Sequence, residues 1–114
     1  MTAARLRLGA AGEDRAAAWY VAHGYELVAR NWRCRDGELD LIARRGRTLV
    51  FCEVKTRSSV AFGSPAEAVT PAKQRRIRGL ALAFLDENGV RGAHLRFDVA
   101  AVIGRQVEII EGAF

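Results

Sequence analysis

Three side chains near the middle of the chain have the types and spacing for hydrolytic chemistry: Asp40, Glu53 and Lys55. Glu53 and Lys55 interrupt the run "VFCEVKTR" at 50–57, whose apolar members read as a strand buried on both faces. Strand period puts Leu49, Phe51, Glu53 and Lys55 on one face of 48–57, and Val50, Cys52 and Val54 on the other. Over 38–44 it puts Glu38, Asp40 and Ile42 on one face, and Leu39, Leu41 and Ala43 on the other. If the two segments pair as a hairpin, Asp40 comes near Glu53. Neighbouring carboxylates repel, a buried unpaired charge is costly, and one lysine does not settle both. A divalent cation does, held by one or two carboxylates with water and a substrate phosphate completing its shell, as Mg²⁺ is. Such a cation polarises a scissile phosphate and helps make hydroxide. Lys55 could then orient the attacking water or stabilise charge on the phosphorane. The plainer reading is a Glu53–Lys55 ion pair with Asp40 capping or bridging a strand end.

The elements that must position these groups follow from pattern and punctuation. Residues from about 9 to 23 read as a helix, with Ala16, Trp19, Tyr20 and His23 on one face and Gly24 as its stop. Strands are expected over Glu26–Arg33, 38–44 and 48–57, joined by tight turns at Asp36–Gly37 and "RRG", which makes an antiparallel meander. "SSVAFGSPAEAV" reads as a loop. Thr70 then caps a helix with Pro71 at its first position, Ile77, Leu80, Ala81 and Phe84 on its apolar face, and Asn88–Gly89 at its end. "LRFDVAAVI" and "QVEIIEG" supply two more strands. The order α-β-β-β-α-β-β predicts an α/β domain with a mixed sheet, the second helix crossing over to a strand beside the meander. The whole chain, 1–114, reads as one domain, with about 1–8 as a flexible tail.

Charge points toward a polyanion. The net charge is +5, and residues 28–78 hold 12 Lys/Arg against 5 Asp/Glu while the rest hold 6 against 8. A clustered basic surface suits nucleic acid, and a solvated Arg-rich surface is the alternative. Lys73, Arg75, Arg76 and Arg78 open the second helix, and with Arg57 they are candidates to grip phosphates without reading sequence. No apolar run approaches the twenty residues of a membrane span, and no secretory signal is apparent at the N-terminus. Cys34 and Cys52 have no metal-ligand spacing and make no expected disulfide framework, and a reducing cytoplasm is the expected compartment. Trp19 and Trp32 read as core or half-core, His23 and His94 carry no chemistry, and Arg96–Asp98 reads as an ion pair on one strand face.

The segments "GEDRAAAWYVAHGY", "RNWRCRDGELDLIARR", "LVFCEVKTR", "AFGSPAEAV" and "RFDVAAV" together resemble the YraN family of small bacterial proteins, from about Gly9 to Val102. That family is similar to the restriction-endonuclease-like nucleases with a D…(D/E)xK site, and among them to archaeal Holliday-junction resolvases. The resemblance implies a restriction-endonuclease-like fold, Asp40 and Glu53 as metal ligands, and Lys55 as the site base. It also implies metal binding by Glu13. Position on the helix tilts Glu13 toward the sheet with Ala16, Ala17 and Tyr20, but from the residues alone the plainer reading is interaction of Glu13 and Asp14 with the helix N-terminus. Glu38 matches the "GE" of the pattern as a supporting acid or a strand-edge residue. Leu39 and Cys52 stand where the family more often has other apolar residues. The expectation is a Mg²⁺- or Mn²⁺-dependent DNA endonuclease acting on branched or processed DNA, with a homodimer as the form two-sited substrates need. The competing expectations are a non-catalytic nucleic-acid-binding accessory protein that retains the fold, and an interaction module with a buried ion-pair cluster.

Overall fold

The computed structural model describes residues 3–57 and 69–114. Seven elements follow one another: α1 (Ala3–Ala22), β1 (Glu26–Cys34), β2 (Gly37–Arg45), β3 (Thr48–Arg57), α2 (Pro71–Glu87), β4 (His94–Ile103) and β5 (Gln106–Ile110). The strands form one sheet in the order β1-β2-β3-β4-β5. All neighbours are antiparallel except β3 and β4, which run parallel from Thr48↔His94 to Arg57↔Ile103. Parallel neighbours need a crossover, and α2 supplies it. This is the expected α-β-β-β-α-β-β order and the mixed sheet of the restriction-endonuclease-like fold.

Each helix covers one face of the sheet. On one side Ala16, Ala17 and Tyr20 of α1 pack on Leu41, Ala43, Val50, Cys52 and Ala100. On the other, Ile77, Leu80, Ala81 and Phe84 of α2 pack on Ile42, Leu49, Phe51, Phe97 and Val99. Fully burying one such large aliphatic or aromatic side chain contributes about 1.5–3 kcal/mol. Trp32 meets Phe84 edge-on at 5.5 Å between ring centres, and half-buried Trp19 packs against the α1-side cluster. Both tryptophans are therefore packing residues. His23 stacks on Trp19 at 3.8 Å. Burial pushes the Cys52 thiol above its usual range, so Cys52 behaves as a small hydrophobe.

Local chemistry fixes the ends of the elements. Gly24 at φ 85° ends α1 while Tyr25 N–H donates to Tyr20 O at 2.9 Å and Gly24 N–H to Val21 O at 3.1 Å. Gly89 ends α2 the same way, with Val90 N–H on Leu85 O at 2.9 Å. These are Schellman closures, which need a left-handed residue just past the helix. The start of α2 is capped by Thr70, whose Oγ1 accepts from Lys73 N–H at 3.2 Å.

Several boundaries differ from expectation. α1 begins at Ala3, so residues 3–8 continue the helix; Ala, Arg and Leu favour helix, and Gly9 and Gly12 hid this start. The β1–β2 turn is centred on Arg35–Asp36, because Gly37 already pairs with Cys34. Leu39 packs with Ile77 and Leu80 on the α2 face, away from Leu41 and Ala43. The pleat breaks there: no pair joins Asn31 to Asp40, and Asn31 stands at φ 51°. The expected loop at 58–69, including Phe62–Gly63, falls almost entirely outside the described residues.

On the α1 face Asp98 is fully buried and fully partnered. It accepts from Tyr20 Oη at 2.7 Å, from Arg96 Nε and Nη2 at 2.9 Å each, and from Gly112 N–H at 3.0 Å. Arg96 also donates to Tyr25 Oη at 2.9 Å. The Arg96–Asp98 pair thus ties α1, β4 and the C-terminal turn together, in the structural role its residues suggested.

Candidate active site

The pairing of β2 with β3 stops at Leu41↔Cys52. One residue further along each strand, Asp40 and Glu53 stand where the ladder opens. Asp40 closes the gap with its side chain: Oδ2 accepts from Val54 N–H at 2.9 Å. Asp40 and Glu53 line a notch of about 300 Å³, with Gly37 and Glu38 on the hairpin side, Lys73 and Arg76 from α2, and Ile77 and Leu80 as its apolar wall. Gly37 stands at φ 146°, a backbone conformation that L side chains rarely adopt, while a Cβ there would only touch Leu80 Cδ1 at 3.4 Å. Backbone conformation, rather than crowding against α2, calls for glycine at this position.

Two ammonium groups converge on Glu53. Lys55 Nζ is 3.6 Å from Glu53 Oε1, as two residues of spacing on one strand face requires. Lys73 Nζ is 2.9 Å from the same oxygen. Lys73 sits at the third helical position after the Thr70 cap, which aims its side chain back over the sheet. Its ammonium is therefore turned into the carboxylate pair, a role that its place in a basic helix start did not reveal.

The charges press on one another. Asp40 is raised from 3.8 to about 7, by burial first and then by the negative charge of Glu53; its bond from Val54 opposes this, and Glu13 and Glu38 add to the rise. Burial lowers the Lys55 ammonium below its ordinary value, and the neighbouring Lys73 lowers it further. A lysine in this state holds its proton less firmly and is better suited to exchange it with water.

Glu13 lies on the other side of the sheet's opening. Its Oε1 accepts from Asn31 Nδ2 at 2.9 Å and lies 3.6 Å from Arg30 Nη2, while Asp14 takes Arg30 Nη1 at 2.8 Å. Arg30 and Asn31 both reach α1 because of the broken pleat at Asn31. Glu13 comes near enough to act on Asp40 through its charge. Among the described residues, no three His, Cys, Asp or Glu side chains form a group that could hold a metal ion. The structure therefore brings Asp40, Glu53 and Lys55 together and keeps Glu13 engaged with β1. Close approach of α1 at this point depends on Gly12: a Cβ there would collide with Thr56 Oγ1.

The basic candidates separate. Arg76 lines the notch, Arg75 is exposed, and Lys73 is on Glu53. Arg78 leaves the group, its guanidinium lying over Phe97 at 4.7 Å and Phe114 at 5.7 Å. Arg57 Nε is buried without a hydrogen-bond partner among the described residues. Glu38 receives Arg33 Nε at 3.0 Å on the rim of the notch. Asn31 was the residue sequence reasoning passed over; an Asn amid alternating strand residues is the signal that could have marked it.

Fold and site together define an α/β protein with paired carboxylates and lysines at an opening in a mixed sheet. Residues 12–102 match the model of the Uncharacterised protein family UPF0102. A UPF0102 protein of Beutenbergia cavernae is 56% identical over 100 residues, covering 88% of this chain and 85% of its own. One of Rhodococcus jostii is 54% identical over 114 residues, covering 96% and 97%. One of Moorella thermoacetica is 47% identical over 120 residues and covers both chains fully. The chain belongs to the UPF0102, or YraN, family. No described helix is long and apolar enough to cross a membrane.

Proposed function

We propose that this protein is a metal-dependent DNA endonuclease that hydrolyses phosphodiester bonds. The observation that carries the reading is the Asp40–Glu53 pair at the β2–β3 opening, with Lys55 3.6 Å from Glu53. Burial first, and then the charge of Glu53, raise Asp40 to about 7 even with two lysines nearby, so added positive charge would favour its ionised form. That donor set fits Mg²⁺ or Mn²⁺, whose remaining ligands are commonly water and substrate phosphate. Asp40 and Glu53 would hold the ion, with Glu13 as the third carboxylate that resemblance suggests. When bound, the cation supplies Lewis-acid polarisation of the phosphate and an acidified water.

The chain's own groups do the rest. Val54 N–H fixes the Asp40 carboxylate, and strand β3 fixes Glu53 and Lys55 to one face. Lys55, with its loosened proton, holds the attacking water and stabilises charge that develops on the phosphate. Arg76 on the notch wall, with Arg57 and Arg75, would hold the DNA backbone beside it. Lys73 restrains Glu53 until substrate and cation arrive. Branched or processed DNA is the proposed substrate, with two sites supplied by a homodimer.

A second reading has one observation in its favour. The Lys73–Glu53 ion pair at 2.9 Å already supplies a positive charge to the site, as a nucleic-acid-binding accessory protein that retained the fold would need for stability. Labelled duplex, single-stranded, flap and four-way-junction DNA, each incubated with Mg²⁺, Mn²⁺ or EDTA, separates the two. Cleavage that needs the cation supports the nuclease. Salt-sensitive binding without cleavage on every substrate supports the accessory protein.

A further inference from the structure

A second cleft lies at the opposite end of the sheet. It encloses about 370 Å³ between the β2–β3 turn and the α2–β4 loop, and Arg44, Arg47, Arg91, Gly46 and Gly92 line it above Val90. Thr48, where β3 begins beside this cleft, is five residues from Glu53, or roughly 17 Å along a strand. The two sites are therefore separate.

Three features make the cleft more than a solvated arginine surface. No carboxylate lines it. Arg44 reaches Glu26 at 3.2 Å, and among the described residues neither Arg47 nor Arg91 forms an ion pair. Its walls are also fixed to each other. His94 N–H donates to Arg47 O at 2.8 Å, and Val90 is held by the closure of α2 through Leu85 O at 2.9 Å. Finally, Gly46 at φ 60° and Gly92 at φ 74° form the turns without placing side chains over the opening; a Cβ at either would meet open space. Arg44 already has Glu26 at 3.2 Å, so the guanidinium groups of Arg47 and Arg91 carry the charge of the cleft that no carboxylate among the described residues answers. Their planar forks match phosphate oxygens, which can accept two bonds from each. A single carboxylate would leave half of that charge unanswered, whereas a phosphate group or a diphosphate would balance it.

We propose that this cleft is an anion site for a phosphate group, carried by a nucleic-acid backbone or by a free phosphorylated ligand. It stands independently of the nuclease reading, because no residue of the Asp40–Glu53 notch contributes to it. The test follows backbone amide resonances of the full chain in EDTA during titration with inorganic pyrophosphate and, separately, with a short DNA duplex. Chloride at matched ionic strength is the control. Saturable shifts at Gly46, Arg47 and Gly92 are expected, with affinity reduced by about tenfold in an Arg47→Ala/Arg91→Ala variant. Shifts with pyrophosphate support the site and a free ligand; shifts with duplex alone support the site and name the backbone as its source. If neither probe moves these amides more than chloride does, or the double variant binds as tightly as wild type, the proposal is overturned. The dispersed spectrum of the variant establishes that it is folded.

Discussion

Replacing Asp40 by Asn tests the electrostatics of the site without any assumption about catalysis. Asp40 rises from 3.8 to about 7 on folding. Below 3.8 the carboxyl is protonated in both folded and unfolded chains and contributes no penalty. Above about 7 it is ionised in both, and the folded state bears the full cost, about 4 kcal/mol. Between these limits stability falls as pH rises. Asn keeps an oxygen for Val54 N–H and carries no charge, so it resembles the protonated acid. At pH 5 the wild type has lost only part of the penalised stability, and at pH 8 all of it. The stability advantage of Asp40→Asn should therefore widen by about 2–3 kcal/mol from pH 5 to pH 8. Urea denaturation of both proteins at the two pH values measures this, and other titrating groups largely cancel in the difference. Saturating Mg²⁺ at pH 8 should then stabilise the wild type and narrow the gap, since a cation between the carboxylates relieves their repulsion. A gap that is equal at both pH values, or larger at pH 5, would refute the reasoning.

Other consequences are independent of one another. Asp98→Ala leaves the buried Tyr20 hydroxyl and the Gly112 N–H without their acceptor, while half-buried Arg96 keeps Tyr25 and Glu111, and should cost about 2–4 kcal/mol in urea denaturation; a loss below about 1 kcal/mol would show that the network is not a main tie. Gly12→Ala ought to gain helix propensity, but the collision of its Cβ with Thr56 Oγ1 should reverse the sign and destabilise by about 1–3 kcal/mol. Adding Thr56→Ala should restore most of it, and a second change that restores nothing would place the strain elsewhere. Lys73→Met removes the ammonium 2.9 Å from Glu53, so Mn²⁺ followed by electron paramagnetic resonance should bind several-fold tighter than to wild type. Weaker binding would mean that Lys73 does not compete with the cation.

The face assignments on β3 were legible because Glu53 and Lys55 follow a strict period of two within an apolar strand that is paired on both sides. Thr70, Pro71 and Gly89 likewise marked the ends of α2, since caps act through the backbone next to them. Leu39 was not legible. Its face depends on the break opposite Asn31, and a strand period carries no record of a left-handed residue on its neighbour. The same break decides where Glu13 goes, because it turns Arg30 and Asn31 toward α1. Arg78 and Lys73 show the limit for charged groups. Both belong to one basic helix start, yet one lies on the Phe97 and Phe114 rings and the other on Glu53. Only the placement of α2 against the sheet separates them. The arginines of the second cleft come from segments far apart in sequence, brought together by the parallel pairing of β3 with β4.

The most direct test of the central claim compares wild type with Lys55→Ala and Glu53→Gln in single-turnover cleavage of a DNA substrate that both variants still bind. If Lys55 and Glu53 act on the reacting groups as proposed, both substitutions should lower the cleavage rate by about 10²-fold or more while DNA affinity changes little. A Lys55→Ala protein that cleaves as fast as wild type under saturating Mg²⁺ would contradict the assignment of the site.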